Sequence, residues 1–283
     1  MSRRDRAWIE VDLGSVTNNF ARIQRFVGAH TTVMAIVKAD AYGHGAVPVA
    51  TALGKSGAGW LGVATVDEGL ELREAGIRTL ILSMGYCAPE RAGEILEHRI
   101  IPTIMAIEDA HAFSKAVGNA VLPVHLKVDS GMCRMGVRHD RIEKFCRQVK
   151  DLSNLYFEGI FSHFAAPIDD VEFSRHQIAN FDNAVAEAER ILGPFKWKHI
   201  CSSPGIPNYE QAHYNMVRPG ELLYGMDHAL QTQHNLMLKP AMTLKARLAT
   251  IKSIEPGDTV GYSRTYCSND PQDVGLVTIG YAD

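Results

Sequence analysis

The stretch Val37-Lys38-Ala39-Asp40-Ala41-Tyr42-Gly43-His44-Gly45 carries residue types and spacing that can do chemistry. An apolar run, Val33 to Val37, ends abruptly on the lysine, and a helix-like segment follows from Ala46. At the end of a buried strand a lysine is poorly solvated, which favours the neutral amine. A neutral amine can form a Schiff base with a carbonyl compound. The glycines let the backbone approach a ligand, and a helix start attracts an anion. A carbonyl compound that also carries a phosphate is pyridoxal 5'-phosphate, and Lys38, Tyr42 and the glycines read as a site for it. Taken alone, Lys38 is more simply a surface lysine at a strand end.

Other polar residues shift that balance. Lys127 and Arg134 lie in Lys127-Val128-Asp129-Ser130-Gly131-Met132-Cys133-Arg134-Met135-Gly136, at the end of another apolar run. His163 follows a third, His199 lies within a fourth with Ser202 and Ser203 behind it, and Arg218 ends a fifth, before Pro219-Gly220. Singly, each has an ordinary structural reading. Their common position at the carboxyl ends of strands is where barrel enzymes build active sites.

The elements that must position them alternate. Eight apolar runs (Thr32–Val37, Trp60–Thr65, Thr79–Ser83, Ile100–Met105, Leu122–Val128, Leu155–Ser162, Trp197–Cys201 and Asn215–Val217) are separated by amphipathic segments such as Val66–Ala75, Pro89–His98, Glu108–Val117, Arg141–Val149 and Glu172–Leu192. Strands alternating with helices predict a parallel sheet, and eight of them predict a closed (β/α)8 TIM barrel. The runs are nearly continuous in apolar residues, as strands buried on both faces require. After Leu236 the helical period disappears. Met242–Ile254 and Val274–Ile279 read as strands about the turn Glu255-Pro256-Gly257-Asp258. The expected division is a barrel over 1–235 and the first part of an all-β domain over 236–283, with a first strand near 8–12 able to join the β domain. Too little chain follows for an independent sheet, so the expectation is a C-terminally truncated protein, a gene that ends early, or a sheet completed by another chain.

The 283 residues include 46% hydrophobic and 22% charged side chains, an ordinary globular composition. A net charge of -3 gives no case for nucleic acid or an anionic membrane. No apolar run approaches a membrane span, and no signal-peptide pattern opens the chain. Five scattered cysteines form no metal-like cluster and suggest reduced thiols in a cytoplasm.

From Trp8 onward the chain resembles the alanine racemases, pyridoxal-phosphate enzymes of fold type III. The resemblance is carried by residues 37–45 and 127–136, by Ser162-His163-Phe164-Ala165, Val217-Arg218-Pro219-Gly220 and Leu223-Tyr224-Gly225, and by Val260-Gly261-Tyr262-Ser263 and Ile279-Gly280-Tyr281-Ala282-Asp283. It implies that Lys38 binds the cofactor and serves as one catalytic base. Tyr262, contributed by the partner subunit of a homodimer, would be the second base, tuned through His163, Arg218 and His199. Arg218 would contact the pyridine nitrogen. Arg134 would contact the cofactor's phenolic oxygen and the substrate carboxylate. Lys127 matches a lysine that is carbamylated in many members. Tyr42, Ser203 and backbone N–H groups near Gly220 and Glu221 would bind phosphate, and Tyr281 would stand at the substrate entrance. Ser202 departs from the family's usual Asn, and Ser130 from its usual Thr. The expected function is interconversion of L- and D-alanine for peptidoglycan. A serine or broad-specificity racemase and an inactive cofactor-binding fragment remain open.

Overall fold

The computed structural model describes residues 6–226 and 233–281. Eight parallel strands form a ring. In chain order they are Thr32–Ile36, Trp60–Val63, Leu80–Ser83, Ile100–Ile101 continued by Thr103–Ile104, Leu122–Asp129, Leu155–Phe161, Trp197–His199 and Met216–Val217. Each pairs with the next, apart from the last junction, where Ser202 bridges Arg218 and Arg218 N–H donates to the Cys201 carbonyl at 3.0 Å. The eighth strand returns to the first through Met216–Thr32 and Val217–Val33. The expected barrel is therefore closed. Pro102, which has no N–H, interrupts the fourth strand, and its carbonyl accepts from His125 N–H at 3.1 Å.

Side chains along the strands alternate between two destinations. Val33, Ala35, Leu61, Val63 and Ile81 join the core shared with the helices. Met34, Ile36, Trp60, Leu82, Ile101 and Met216 form a separate cluster inside the ring. The fifth strand sends Val124, Leu126 and Val128 to the helix side, so His125 and Lys127 turn inward. The interior thus divides into this apolar cluster, which includes Met216 of the eighth strand, and a polar part built on His125, Lys127, His199 and Arg218.

Helix starts are fixed where the preceding loop carries chemistry. Thr65 and Glu68 form a reciprocal capping box on the helix Val66–Glu74. Asp170 accepts from Phe173 N–H and starts the long helix Val171–Leu192. Helices Ile107–Val117 and Ile142–Val149 stand where amphipathic segments were expected, and Pro89–His98 begins with a 3-10 turn, Pro89–Arg91, before Ala92–Glu97.

A second unit comprises the residues up to Asp12 and those from Met242 on. Ala7–Val11 pairs antiparallel with Met242–Ala246, Leu248–Ile254 with Gln272–Val277, and Thr259–Val260 with Tyr266–Cys267. The division falls after Ala241 rather than after Asn235, and the first strand goes to the β unit because its partner is Met242–Ala246. Ala282 and Asp283, the last two residues of the Ile279–Asp283 motif, lie outside the described residues. No described helix is long and apolar enough to cross a membrane.

Candidate active site

Lys38 leaves the first strand into an unusual turn. Ala39, Asp40, Ala41 and Tyr42 all have φ between 51° and 55°, a left-handed helical turn built without glycine. Each such residue costs roughly 1–2 kcal/mol, so the surroundings must hold the turn. They do so with hydrogen bonds. Ala41 N–H donates to the Val37 carbonyl at 2.9 Å, and Gly45 N–H to the Asp40 carbonyl at 3.0 Å. The Asp40 carboxylate accepts from Ala46 N–H at 2.6 Å and starts the helix Ala46–Lys55. His44 Nδ1 lies 2.9 and 3.1 Å from the Ala41 and Tyr42 carbonyls, which makes it the protonated nitrogen. Its ring stacks on Tyr224, whose hydroxyl donates to the Ile36 carbonyl. Glu68 ties the turn to the neighbouring strand: one carboxylate oxygen accepts from Ala39 N–H at 2.7 Å and the other from Ala64 N–H at 2.6 Å.

Lys38 opens onto a cavity of about 590 Å³ at the carboxyl ends of the strands. Tyr42, Lys127, Arg134, His163, Ser203, Arg218 and Gly220 line it as well. Arg218 is only 3% exposed. Its guanidinium reaches His199 Nδ1 at 2.7 Å and His163 Nδ1 at 3.1 Å, and donates to the Ser162 and Ile200 carbonyls at 2.8 and 3.0 Å. Burial lowers its pKa to about 10, which still leaves it a cation near neutral pH. A guanidinium only donates, so both imidazoles accept through Nδ1 and carry their protons on Nε2. Burial first, and then the Arg218 charge, holds His163 and His199 well below the ordinary histidine range, so both are neutral.

Phe161 forms the floor between Lys127 and Arg218. Its ring stacks on His199 at 4.8 Å, and Lys127 Nζ and the Arg218 guanidinium lie 4.5 and 5.4 Å from its centroid. Burial, Arg218 and Arg134 together push the Lys127 amine well below its usual range, against the pull of Asp129. Asp129 also accepts from Gly131 and Cys133 N–H at 3.0 Å and so shapes the loop that carries Arg134.

At the other end, Ser203 Oγ accepts from Gly220 and Leu222 N–H at 2.9 and 3.2 Å. Any Cβ at Gly220 would strike the Tyr42 hydroxyl, so glycine is required there for the tyrosine to reach the turn. Burial, with a contribution from Glu221, raises the Tyr42 pKa to about 12 and keeps its hydroxyl a donor.

The structure brings together every barrel residue expected from the sequence, with His199 fully buried beneath Arg218. Tyr262 and Tyr281 belong to the β unit, where they are 92% and 101% exposed. Four contributors escaped the sequence reading: Phe161, Glu68, His125 and Gln177. Buried Gln177 bonds Ala165 N–H, the His163 carbonyl and the Ser130 hydroxyl, but it sits mid-helix, far along the chain from its partners. Phe161, two residues before His163 at a strand end, carried a positional signal.

Two family models match the chain: the alanine racemase N-terminal domain over residues 11–228 and its C-terminal domain over 241–283. The chain belongs to the alanine racemase family. The alanine racemase of Desulfovibrio desulfuricans is 38% identical over 98% of this chain and 75% of its own length. That of Synechocystis is 38% identical over 99% and 76%. Among solved structures, the alanine racemase of Streptomyces lavendulae covers the whole chain with a TM-score of 0.90 at 32% identity, matching 76% of its own length. The Bacillus anthracis enzyme, solved with bound L-Ala-P, does so at 0.86 and 30%, matching 75%. Alanine racemases are pyridoxal-phosphate enzymes. The residues here fit that cofactor: an amine on one wall, a buried donor-only cation at the base, and a hydroxyl-lined turn where glycine permits close approach.

Proposed function

We propose that this alanine racemase works as a homodimer with a two-base mechanism, Lys38 serving one face of the substrate and Tyr262 of the partner subunit the other. Bound pyridoxal phosphate would supply the electron sink that acidifies the substrate Cα–H. Racemisation removes a proton from one face and returns one to the opposite face, so two groups must flank the plane. Lys38 Nζ would exchange the proton on its side. Tyr262 of the partner subunit would exchange it through its phenolic oxygen, facing the Nε2–H of His163. The strong exposure of Tyr262 on its own chain suits a residue that acts on another.

The observation that carries this reading is Arg218. Where it would face the pyridine nitrogen, a guanidinium can only donate, so that nitrogen would stay unprotonated, whereas a carboxylate there would accept from and favour a protonated ring. The sink is then weaker, and simple return of the proton is favoured over further chemistry. Arg134 would hold the substrate carboxylate. Lys127 would serve as a carbamate: its depressed pKa supplies the neutral amine that reacts with carbon dioxide, and the resulting anion would orient Arg134. Tyr42, Ser203 and the N–H groups at Gly220 and Glu221 would hold the phosphate, and Tyr281 would border the entrance. The product D-alanine would feed peptidoglycan assembly from the cytoplasm.

Chiral chromatography tests this directly. L-alanine incubated with cofactor-saturated protein should yield D-alanine, and Lys38→Ala should lose at least about 1,000-fold in rate. In a parallel incubation with L-serine, a D-serine yield above the D-alanine yield would make it a serine racemase. No D-amino acid from folded, cofactor-loaded protein would refute the activity.

A further inference from the structure

The histidine chain beneath the cavity does not stop at His199. His199 Nε2 lies 3.1 Å from Nδ1 of His125, on the fifth strand, and His125 Nε2 lies 3.9 Å from Glu158 Oε1, on the sixth. The direction of this line follows from chemistry. Arg218 can only donate, so His199 accepts through Nδ1 and donates through Nε2. His125 must then accept through Nδ1 and carry its proton on Nε2, aimed at Glu158. Burial, reinforced by Arg218, depresses the His125 pKa to about 3, so the ring is neutral. His125 Nε2 is fully buried and has no hydrogen-bond partner of its own.

Two backbone features place these side chains. The sixth strand carries a bulge: Val124 pairs with Phe157, but His125 pairs with Gly159, so Glu158 is an extra residue. Bulges re-aim side chains: Glu158 stays on the barrel side beside His125, and the shift brings Phe161 to that side as well. Gly159 then leaves room for the imidazole, because a Cβ there would collide with the His125 ring. A carboxylate, a glycine and a bulge on one strand thus all serve a histidine on the next.

We propose that His125 and Glu158 are positioning residues for Arg218. His125 accepts the His199 Nε2–H that Arg218 imposes, and with Glu158 it anchors that imidazole and so fixes the plane of the guanidinium from deeper in the barrel. The tautomer chain is independent of the reaction catalysed, and its effect on racemisation rests on the function proposed above.

The test is nitrogen-15 NMR of histidine-labelled, cofactor-loaded protein, with His125→Gln and His125→Leu beside the wild type. The wild type should show His125 and His199 neutral and protonated at Nε2. His125→Gln can accept from His199 and donate to Glu158, so His199 should keep its tautomer. His125→Leu leaves the His199 Nε2–H without an acceptor while Arg218 still requires Nδ1 to accept, so the His199 Nε2–H signal should shift and its proton exchange several-fold faster with the tautomer kept. There kcat should fall about tenfold with KM within about twofold, and the Gln variant should recover it. A wild-type His125 protonated at Nδ1 would overturn the inference without any variant, so misfolding of His125→Leu cannot rescue it. Unchanged His199 Nε2–H shift and exchange in a folded His125→Leu protein would do the same, as would unchanged kcat once that signal has shifted. In Glu158→Leu the His125 Nε2 proton should exchange several-fold faster, and unchanged exchange removes Glu158 from the chain. Predicted tautomers in a protein that makes no D-alanine would refute the activity and leave the positioning chain standing.

Discussion

At the scale of single residues, the site is defined by what its groups cannot do. Arg218 cannot accept a proton, and that restriction sets the tautomers of His163 and His199. Gly220 cannot carry a side chain while Tyr42 keeps its place. Gly220→Ala should therefore weaken cofactor binding by about tenfold or more, read by absorbance titration. In a Tyr42→Phe background the same change should cost less, because the hydroxyl that the methyl group meets is gone. Equal losses in the two backgrounds would mean that Gly220 and Tyr42 act independently.

At the scale of elements, the sequence displayed the eight strands and the helices between them because their hydrophobic periods are strong. It displayed Lys38, Arg134, His163 and Arg218 because each stands at a strand end. It did not display the left-handed turn at Ala39–Tyr42, since in Ala-Asp-Ala-Tyr only the aspartate tolerates positive φ; contacts with Glu68, Asp40 and Tyr224 impose it. The bulge at Glu158 was equally hidden, because a bulge is a property of pairing and not of one strand's pattern. Glu68→Ala leaves the Ala39 and Ala64 N–H groups without their acceptor and should destabilise the Lys38 turn by about 2 kcal/mol. Cofactor affinity should fall by at least about tenfold while the barrel stays folded, and Glu68→Gln should lose less. Unchanged affinity in Glu68→Ala would show that the turn holds itself.

At the scale of the whole molecule, a barrel with a partly polar interior should be sensitive to acid. His125, His163 and His199 have folded pKa values below the ordinary 6.5. Below that pH the unfolded chain binds protons that the folded chain refuses, so stability rises with pH and is lost as pH falls below about 6.5. Three such groups give a slope approaching about 4 kcal/mol per pH unit once the unfolded histidines are fully protonated. Urea titrations between pH 7 and 5 should show this onset, and His125→Gln should make it shallower. Flat stability across that range would mean the imidazoles are not buried neutral.

On the proposed mechanism each active site would draw Lys38 from one subunit and Tyr262 from the other. Subunit complementation measures it most directly. Lys38→Ala and Tyr262→Phe should each be inactive alone. Unfolded together in equal amounts and refolded, half of the dimers should be mixed. Each mixed dimer would hold one intact site, Lys38 from the tyrosine variant facing Tyr262 from the lysine variant. Racemase activity should return to about one quarter of wild type. No recovery, from a mixture shown to contain mixed dimers, would contradict a site shared between subunits.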